Sequence, residues 1–244
     1  MAKRTLAVRK PERPTGTIVV DGPAQPRLPR SVTLTHRQIG RLSQYRRQLQ
    51  SQPTGTPATI YSYRLAALCG LTAAQVRRDL MTIGFTGSPA RGYNILQLVD
   101  AIARCLDAPG GQNAALVGAG NLGRAILDYF AVRRPPLSIV ATFDIDPAKV
   151  NRVLHGCRAY GMDKLAEVIR EMDITVGVLT VPASAVQEVA ETMLAAGVRS
   201  FLNFAPMPLR LPSRTFVEEM DIAASMEKAA YFARALRPER GGRA

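Results

Sequence analysis

Cysteines are scarce in this sequence, and so are long apolar runs. The three cysteines, Cys69, Cys105 and Cys157, are odd in number and widely spaced. They indicate neither a disulfide framework nor a CxxC metal site, and a reducing cytoplasm fits best. No apolar run reaches about 18 residues without charge or proline, and no apolar segment follows the basic N-terminus. We therefore expect no membrane span, no signal peptide and no bound metal.

Acidic residues are few in the first half of the chain. Residues 1–110 contain 16 Lys and Arg against 5 Asp and Glu, an excess of +11, whereas residues 111–244 contain 16 against 14. This asymmetry indicates a polyanionic partner at the N-terminal end, nucleic acid before an anionic membrane. A basic, solvated tail that only aids solubility is the alternative.

The first 35 residues combine basic side chains with five prolines, namely Pro11, Pro14, Pro23, Pro26 and Pro29. This composition predicts a disordered basic arm. A helical pattern then runs from Leu34 to Leu49, with apolar residues near one face. Another helix, Ile95–Leu106, reads as a connector, and Ala108–Gly111 as a domain boundary.

Two short helices joined at a glycine lie between them. Ser62 is predicted to cap the first helix, which stops at Gly70, and Thr72 and Gln75 form a predicted capping box that opens the second. The second helix ends near Ile83 and exposes polar side chains. This pattern predicts a helix-turn-helix, because a helix fits the major groove and Arg and Gln can bond to base edges. An αα-hairpin with a solvated basic face is the alternative.

A turn-rich stretch, Gly84 to Tyr93, follows and predicts a two-stranded wing, with Phe85 and Tyr93 at strand positions. The predicted DNA-binding residues are Ser62, Thr72, Gln75, Arg77, Arg78 and Arg91.

A strand at Ala114–Val117 leads into a GxGxxG motif, a helix, a second strand at Leu137–Phe143, and then Asp144. The order is typical of a dinucleotide-binding unit. The glycines permit a tight turn, access for the pyrophosphate and close helix–strand packing, and the acid reads the ribose hydroxyls and repels a 2′-phosphate. A glycine-rich turn that binds no nucleotide is the alternative. The predicted contacts here are Gly118, Ala119, Gly120, Asn121, Leu122, Gly123, Asp144 and Lys149.

Two later apolar strands, Ile174–Val181 and Arg199–Phe204, flank a helix from Ser184 to Ala195. Ligands of doubly wound sheets lie at the carboxyl ends of strands. Contacts on the nicotinamide side are therefore predicted at Thr180, Val181, Pro182, Asn203 and Ala205. The alternative is that these residues only mark the transition from strand to loop.

A last helix, from about Asp221 to Leu236, lies beyond these strands and is expected to pack on a partner subunit or on its own domain. The predicted fold class is α/β: a winged helix-turn-helix domain over residues 36–108, then a Rossmann domain with a doubly wound parallel sheet over residues 109–220. A dimerisation helix occupies residues 221–244.

This order of elements resembles the Rex family of bacterial redox-sensing transcriptional repressors over residues 36–236. The most specific stretches are Leu71–Leu80, Val117–Gly123, Phe143–Pro147, Leu179–Pro182 and Leu202–Pro206. The resemblance implies a homodimer that binds a palindromic operator when NAD+ dominates and releases it on binding NADH. It also implies that the terminal helix is swapped between subunits.

The resemblance further implies a polar switch near the nicotinamide, formed by Arg47, Tyr129 and Asp221. The long basic arm and the wing sequence Ser88-Pro89-Ala90 depart from the family pattern, which leaves wing contacts to DNA open.

The main alternative is an NAD-dependent dehydrogenase with a basic N-terminal extension. Hydride transfer usually needs an acid or base near the nicotinamide, and His36 and His155 are poorly placed in the sequence for it. We therefore expect a repressor with no catalytic residues. A nucleotide- or coenzyme A-binding module that does not touch DNA is a second alternative.

Overall fold

The computed structural model describes residues 34–53, 55–131 and 136–236. Almost all of the predicted basic arm therefore lies outside the described residues. The chain divides into two compact units, residues 1–102 and 103–244. The division falls inside the helix Ile95–Leu106, ahead of the predicted boundary at Ala108, because the buried side chains of Leu98 and Ile102 belong to the first unit.

The first unit is a small helical domain with one short antiparallel sheet. Its elements are α1 (His36–Gln50), β1 (Thr59–Ile60), α2 (Ser62–Cys69), α3 (Ala73–Thr82), β2 (Tyr93–Asn94) and the start of α4 (Ile95–Leu106). Thr35 and Gln38 form a capping box that begins α1. The helices close over a shared apolar core that includes Leu42, Tyr45, Leu65, Val76, Leu80, Ile83 and Leu98.

The turn between α2 and α3 confirms the predicted helix pair. Gly70 ends α2 in the left-handed conformation, at φ 66°, where a residue without a Cβ is favoured. Thr72 caps α3 by accepting from the Gln75 N–H at 3.2 Å. The second half of the predicted capping box is wrong, since the Gln75 side chain bonds to Asp79 instead. Ser62 is not an N-cap either, because α2 begins one residue earlier than predicted.

The predicted wing has a different construction. Phe85 is buried in the core rather than in a strand, and Tyr93 pairs with Ile60 in the β1–β2 sheet. The stretch between them closes on itself through a single bridge from Ser88 to Gly92. The wing is therefore a turn tied to the strand that precedes α2.

The second unit is a seven-stranded sheet with helices on both faces. The strands are β3 (Gln112–Val117), β4 (Leu137–Phe143), β5 (Val153–Leu154), β6 (Cys157–Tyr160), β7 (Ile174–Leu179), β8 (Ser200–Asn203) and β9 (Phe216–Glu219). The helices are α5 (Asn121–Ala131), α6 (Leu165–Glu171), α7 (Ala183–Ala196) and α8 (Ile222–Ala235).

The strand order is β5-β6-β4-β3-β7-β8-β9, and each pairing is parallel except β5 with β6. Strand β3 is central, with four successive buried residues from Ala114 to Val117, as expected for a strand covered on both faces. The outer strands β5, β6 and β9 are not predicted by the sequence pattern, because they are short or carry charged residues. Among the described helices, none is both long enough and apolar enough to cross a membrane.

Candidate cofactor site and DNA-binding surface

The glycine-rich loop joins the carboxyl end of β3 to the start of α5. Gly118 has φ +99°, and a Cβ there would lie 2.6 Å from the Thr180 carbonyl oxygen. A Cβ at Gly123 would collide with the carbonyl oxygen of Gly118. A Cβ at Gly120 would meet no described atom within 4 Å. Two glycines therefore allow close packing inside the protein, while Gly120 leaves open space above the loop.

Asp144 follows β4 and lies against this loop, only 7% exposed. Its carboxylate accepts from the backbone N–H of Ala119 (2.8 Å) and of Asp146 (2.9 Å) and from the Lys149 ammonium (2.9 Å). Burial by itself would raise the pKa of Asp144, but these hydrogen bonds and the Lys149 charge outweigh it and hold the pKa below its usual value. The group is thus an anion placed to accept further hydrogen bonds.

The predicted residues on the other side of the loop brace the backbone. The Thr180 hydroxyl donates to the carbonyl oxygen of Gly118 at 2.7 Å. The buried Asn203 side chain donates to the Met207 carbonyl (2.8 Å) and to Glu219 (2.6 Å), and it accepts from Ala205 N–H (3.0 Å). Both side chains shape the rim of the site through internal bonds, while Val181 is half-buried and Pro182 exposed.

Two cavities lie on opposite sides of the glycine-rich loop. One, of about 430 Å³, is lined on the β4–β6 side by residues that include Asp144, Pro147 and Asp163. The other, of about 450 Å³, is lined on the β8–β9 side by residues that include Ala205 and Asp221. Both adjoin the carboxyl ends of parallel strands, where nucleotides bind in doubly wound sheets.

The terminal helix α8 is largely uncovered. None of its residues is buried, and its large apolar side chains stand in solvent at 58–69% exposure for Ile222, Met226, Tyr231 and Phe232. Asp221 caps the helix by accepting from the Ala224 N–H at 2.8 Å.

The outer side of α3 carries the predicted DNA-binding arginines. Arg77 and Arg78 are exposed, and the Arg77 guanidinium donates to the Ser62 hydroxyl at 3.1 Å, which links α3 to the start of α2. Arg91 is exposed on the wing turn. The Tyr61 hydroxyl donates to the Ala90 carbonyl oxygen at 2.9 Å and ties that turn to the helix pair.

A buried hydrogen-bond network behind α3 is not predicted by the sequence pattern. Asp79 binds Arg41 and Tyr45 of α1 and also Gln75, so Gln75 is half-buried rather than freely exposed. The i, i+4 spacing of Gln75 and Asp79 was the available signal, but only the fold brings α1 beside them.

The three predicted switch residues belong to different units. Arg47 is exposed on α1 of the first unit. Tyr129 on α5 is 48% exposed, and Asp221 is the N-cap of α8. In the described parts of the chain, no cluster of His, Cys, Asp or Glu side chains could hold a metal ion.

Two family models match the chain. The model described as "CoA binding domain" matches residues 111–207, and the model described as "Putative DNA-binding protein N-terminus" matches residues 36–80. The redox-sensing transcriptional repressor Rex of Carboxydothermus hydrogenoformans is 37% identical over 189 residues, which cover 78% of this chain and 91% of that protein. This chain belongs to the Rex family. The Rex protein of Syntrophobacter fumaroxidans is 38% identical over 194 residues, 79% of this chain and 92% of that one.

Solved structures extend the likeness to both units of this Rex chain. The structure of RSP, a Rex-family repressor, with β-NAD+ and operator DNA has a TM-score of 0.76 at 27% identity and covers 83% of this chain and 94% of that chain. RSP with β-NADH has a TM-score of 0.73 at 27% identity and covers 83% and 95%. The predicted fold class, a helical DNA-binding domain before a Rossmann-like sheet, is confirmed.

Proposed function

We propose that this Rex protein is a cytoplasmic transcriptional repressor that senses the NADH/NAD+ ratio. It binds a palindromic operator when NAD+ dominates and leaves it on binding NADH. The observation that carries the proposal is the union, in one chain, of an exposed basic helix after a tight turn with a glycine-rich loop beside a buried aspartate. RSP, of the same family, has been solved with β-NAD+ and operator DNA and with β-NADH.

The cofactor is proposed to lie across the glycine-rich loop. Its pyrophosphate fits the open space at Gly120 and the N-terminus of α5, where backbone N–H groups and the helix dipole favour an anion. The adenosine ribose faces Asp144, and the nicotinamide faces the cavity that Ala205 and Asp221 line. The negative charge of Asp144 favours NAD(H) over NADP(H), since a 2′-phosphate would meet it directly.

The DNA is proposed to meet α3. The exposed Arg77 and Arg78 guanidinium groups can bond to guanine edges or phosphates, and α3 enters the major groove in this docking mode. The net charge of +11 over residues 1–110 adds attraction for the phosphate backbone. Two copies of α3 then need a separation of about 34 Å to enter successive major grooves.

A homodimer is proposed from α8. Its exposed apolar side chains are an unfavourable surface for a helix in water, and a second copy of the chain can cover them. The swapped arrangement that the Rex resemblance implies would do so in each subunit. Such a dimer also supplies the pair of symmetric DNA-binding units that a palindromic operator requires.

The redox switch is proposed to use Arg47, Tyr129 and Asp221. NAD+ carries a positive charge on its ring that NADH lacks, so an anion near the nicotinamide responds to the oxidation state. Asp221 lines the cavity on that side, and Arg47 belongs to the DNA-binding unit. Polar bonds among the three residues would differ between the two ligand states and bias the dimer toward one geometry.

The test is a paired titration with a duplex that the wild-type protein enriches from a random library. NADH affinity is measured with and without this duplex, and duplex affinity with and without NADH. Linkage requires that NADH weaken duplex binding by the same factor by which the duplex weakens NADH binding. We expect Asp221→Asn, which keeps a good N-cap and removes the charge, to reduce that factor, and Tyr129→Phe to do the same. Glu191→Gln, which removes an exposed charge from α7, is the matched control.

The outcomes separate the alternatives. If the duplex leaves the NADH affinity of the wild-type protein unchanged, the proposed redox switch does not exist, however well each unit binds its own ligand. Coenzyme A, titrated in parallel, should bind poorly, because its ribose 3′-phosphate would lie near Asp144. Consumption of NADH with a panel of carbonyl substrates, followed by absorbance, would instead support the dehydrogenase.

A further inference from the structure

The inner side of α3 carries a charged residue in the core of the first unit. Asp79 is 1% exposed, and its side chain is fully buried. It lies between the core residues Val76 and Leu80 on the helix whose outer side presents Arg77 and Arg78. A buried carboxylate is tolerated only where hydrogen-bond donors and opposite charge replace water.

Four donors surround this carboxylate. Arg41 donates through Nε to Oδ2 at 2.6 Å and through Nη2 to Oδ1 at 2.7 Å. The Tyr45 hydroxyl donates to Oδ2 at 2.8 Å, and the Gln75 side-chain amide donates to Oδ1 at 2.9 Å. An ionised carboxylate offers about four lone-pair positions, so these bonds fill the group.

The carboxylate is therefore an obligate acceptor at neutral pH. Burial alone would raise the pKa of Asp79, but the hydrogen bonds from Arg41, Tyr45 and Gln75 lower it below its usual value. A side-chain amide facing such a group must turn its NH2 toward it and its oxygen away. A free glutamine side chain exchanges readily between its two amide orientations. In Gln75 the orientation is set by Asp79.

Gln75 is the third residue of α3. The N-terminal residues of a recognition helix are the ones that approach base edges. A glutamine that can flip offers either a donor or an acceptor to a given base position. In a glutamine held by Asp79, one N–H is committed to the carboxylate, and the oxygen and the second N–H remain for a base in one fixed arrangement, which distinguishes base edges more sharply.

We propose that Asp79 is a specificity-determining positioning residue: it holds the Gln75 amide in one orientation, so that α3 prefers one base pair in each operator half-site. This inference rests on the proposed function, because it requires α3 to enter the major groove. Asp79 itself does not touch DNA and acts through Gln75.

The Gln75 bond is not needed to hold the fold. Arg41 and Tyr45 already tie α1 to α3 through Asp79, whereas Gln75 and Asp79 lie one turn apart on the same helix. A bond between i and i+4 side chains joins no second element and stabilises a helix only slightly. Its main consequence is the orientation of the amide.

The experiment is a double-mutant cycle on base preference with the full-length protein. Wild type, Asp79→Asn, Gln75→Met and the double variant each select duplexes from one random library at one salt concentration. Affinities for the wild-type duplex, for its single-base variants and for an unrelated duplex follow by fluorescence anisotropy. Gln44→Met is the matched control, since Gln44 makes a similar amide bond to the Cys69 carbonyl but lies on α1.

We expect Gln75→Met to lose about tenfold in preference at one base pair per half-site, the value of one well-formed base contact. Asp79→Asn should lower the preference at that same base pair by at least about fivefold and change the preference at other base pairs little. The introduced amide can donate or accept a hydrogen bond, so it no longer fixes the orientation of the Gln75 amide. In the Gln75→Met background, Asp79→Asn should cause no further loss of preference. Gln44→Met should keep the wild-type preference.

Two results would overturn the inference alone. One is an unchanged preference at that base pair in Asp79→Asn. The other is an equal loss from Asp79→Asn with and without Gln75, which would mean that Asp79 only supports the helix. A wild-type protein that enriches no duplex overturns the proposed function as well, so the two failures are distinguishable.

Folding of the variants is checked by circular dichroism before selection. If Asp79→Asn does not fold, Arg41→Met with Asp79→Asn removes both charges and leaves no uncompensated buried cation. The same loss of preference at the Gln75 base pair is expected in that variant, and its retention overturns the inference.

Discussion

Among the described residues of this Rex chain, each unit holds one buried aspartate, Asp79 in the first and Asp144 in the second, and the two are partnered differently. Asp79 accepts four hydrogen bonds, all from side chains of its own unit. Asp144 accepts three, two from backbone N–H groups and one from Lys149, which also lies 3.6 Å from Asp146. The four bonds fill the acceptor positions of Asp79, whereas the three bonds to Asp144 leave about one acceptor position open.

The functional surfaces follow the same division. In the first unit the backbone of α3 is hydrogen-bonded within the helix, so its exposed side chains, such as Arg78, are the groups available to a ligand. In the second unit the loop Gly118 to Gly123 offers bare backbone, and side chains such as Thr180 only brace it. A protein that reads bases needs chemically distinct side chains, while one that holds a pyrophosphate needs N–H groups without obstruction.

The largest expected effect concerns the glycines of the loop between β3 and α5. Gly123→Ala should destabilise the second unit by about 1–3 kcal/mol or more, because its Cβ collides with the Gly118 backbone, which cannot yield as a flexible side chain would. Gly120→Val should leave the melting temperature near wild type, because its side chain meets no other part of the protein. It should abolish NADH binding, because the same side chain fills the space proposed for the pyrophosphate. Thermal melts and calorimetry measure the two effects, and equal melting temperatures for both variants would contradict the distinction.

The next prediction concerns the side-chain surface of the first unit. Arg78→Ala should weaken binding to the selected operator duplex by about 1–3 kcal/mol if Arg78 reads a guanine, and evenly across sequences if it contacts phosphate. NADH affinity without DNA should not change. Fluorescence anisotropy with specific and unrelated duplexes distinguishes the two roles. If Arg77→Ala and Arg78→Ala both bind the operator like wild type, α3 is not the recognition helix.

A third prediction concerns the proposed hydrogen bonds between the Asp144 carboxylate and the ribose hydroxyls of the cofactor. Asp144→Ala should weaken NADH by about tenfold, the value of one hydrogen bond to a charged group, and narrow the gap between NADH and NADPH. Operator binding without cofactor should remain. Calorimetry with both cofactors provides the measurement. Equal wild-type affinity for NADH and NADPH would falsify the role given to Asp144.

The smallest expected difference is the one between the two aspartates, measured as the pH dependence of stability. Both have a folded-state pKa below the unfolded value of about 3.9, so each stabilises the fold above that pH and loses the contribution as pH falls through its folded pKa. At pH 7, Asp79→Asn should therefore lower the free energy of unfolding more than Asp144→Asn, because it disturbs four bonds rather than three. Both deficits should shrink below about pH 4. Urea unfolding at several pH values checks this, and a deficit that grows on acidification would contradict it.

Much of this molecule could be predicted from local sequence. The helices α2 and α3 follow from the capping residue Thr72, the stop at Gly70 and regular apolar spacing, all of which act within one or two turns. The connector Ile95–Leu106 was predicted with the bounds that it has. The glycine-rich loop was equally readable, because a motif of strand, glycines, helix and acid describes one contiguous unit.

The rest depended on residues far apart in the chain. The edge strands β5 and β9 have too few residues and too little apolar pattern to form alone, and they exist because a neighbouring strand offers its unpaired N–H and C=O groups. Tyr93 pairs with Ile60 rather than within the wing for the same reason. The roles of Thr180 and Asn203 as braces also appear only once their partners are in place.

Short-range spacing and residue type are enough to predict the two binding elements of this chain, the basic helix pair and the dinucleotide-binding loop. How the side chains of these elements are held depends instead on the tertiary structure. Arg41 and Asp79 are 38 residues apart, and Ala119 and Asp144 are 25 apart. Hydrogen bonds act over about 3 Å, so such pairs form only after the packing of apolar side chains has brought distant segments together.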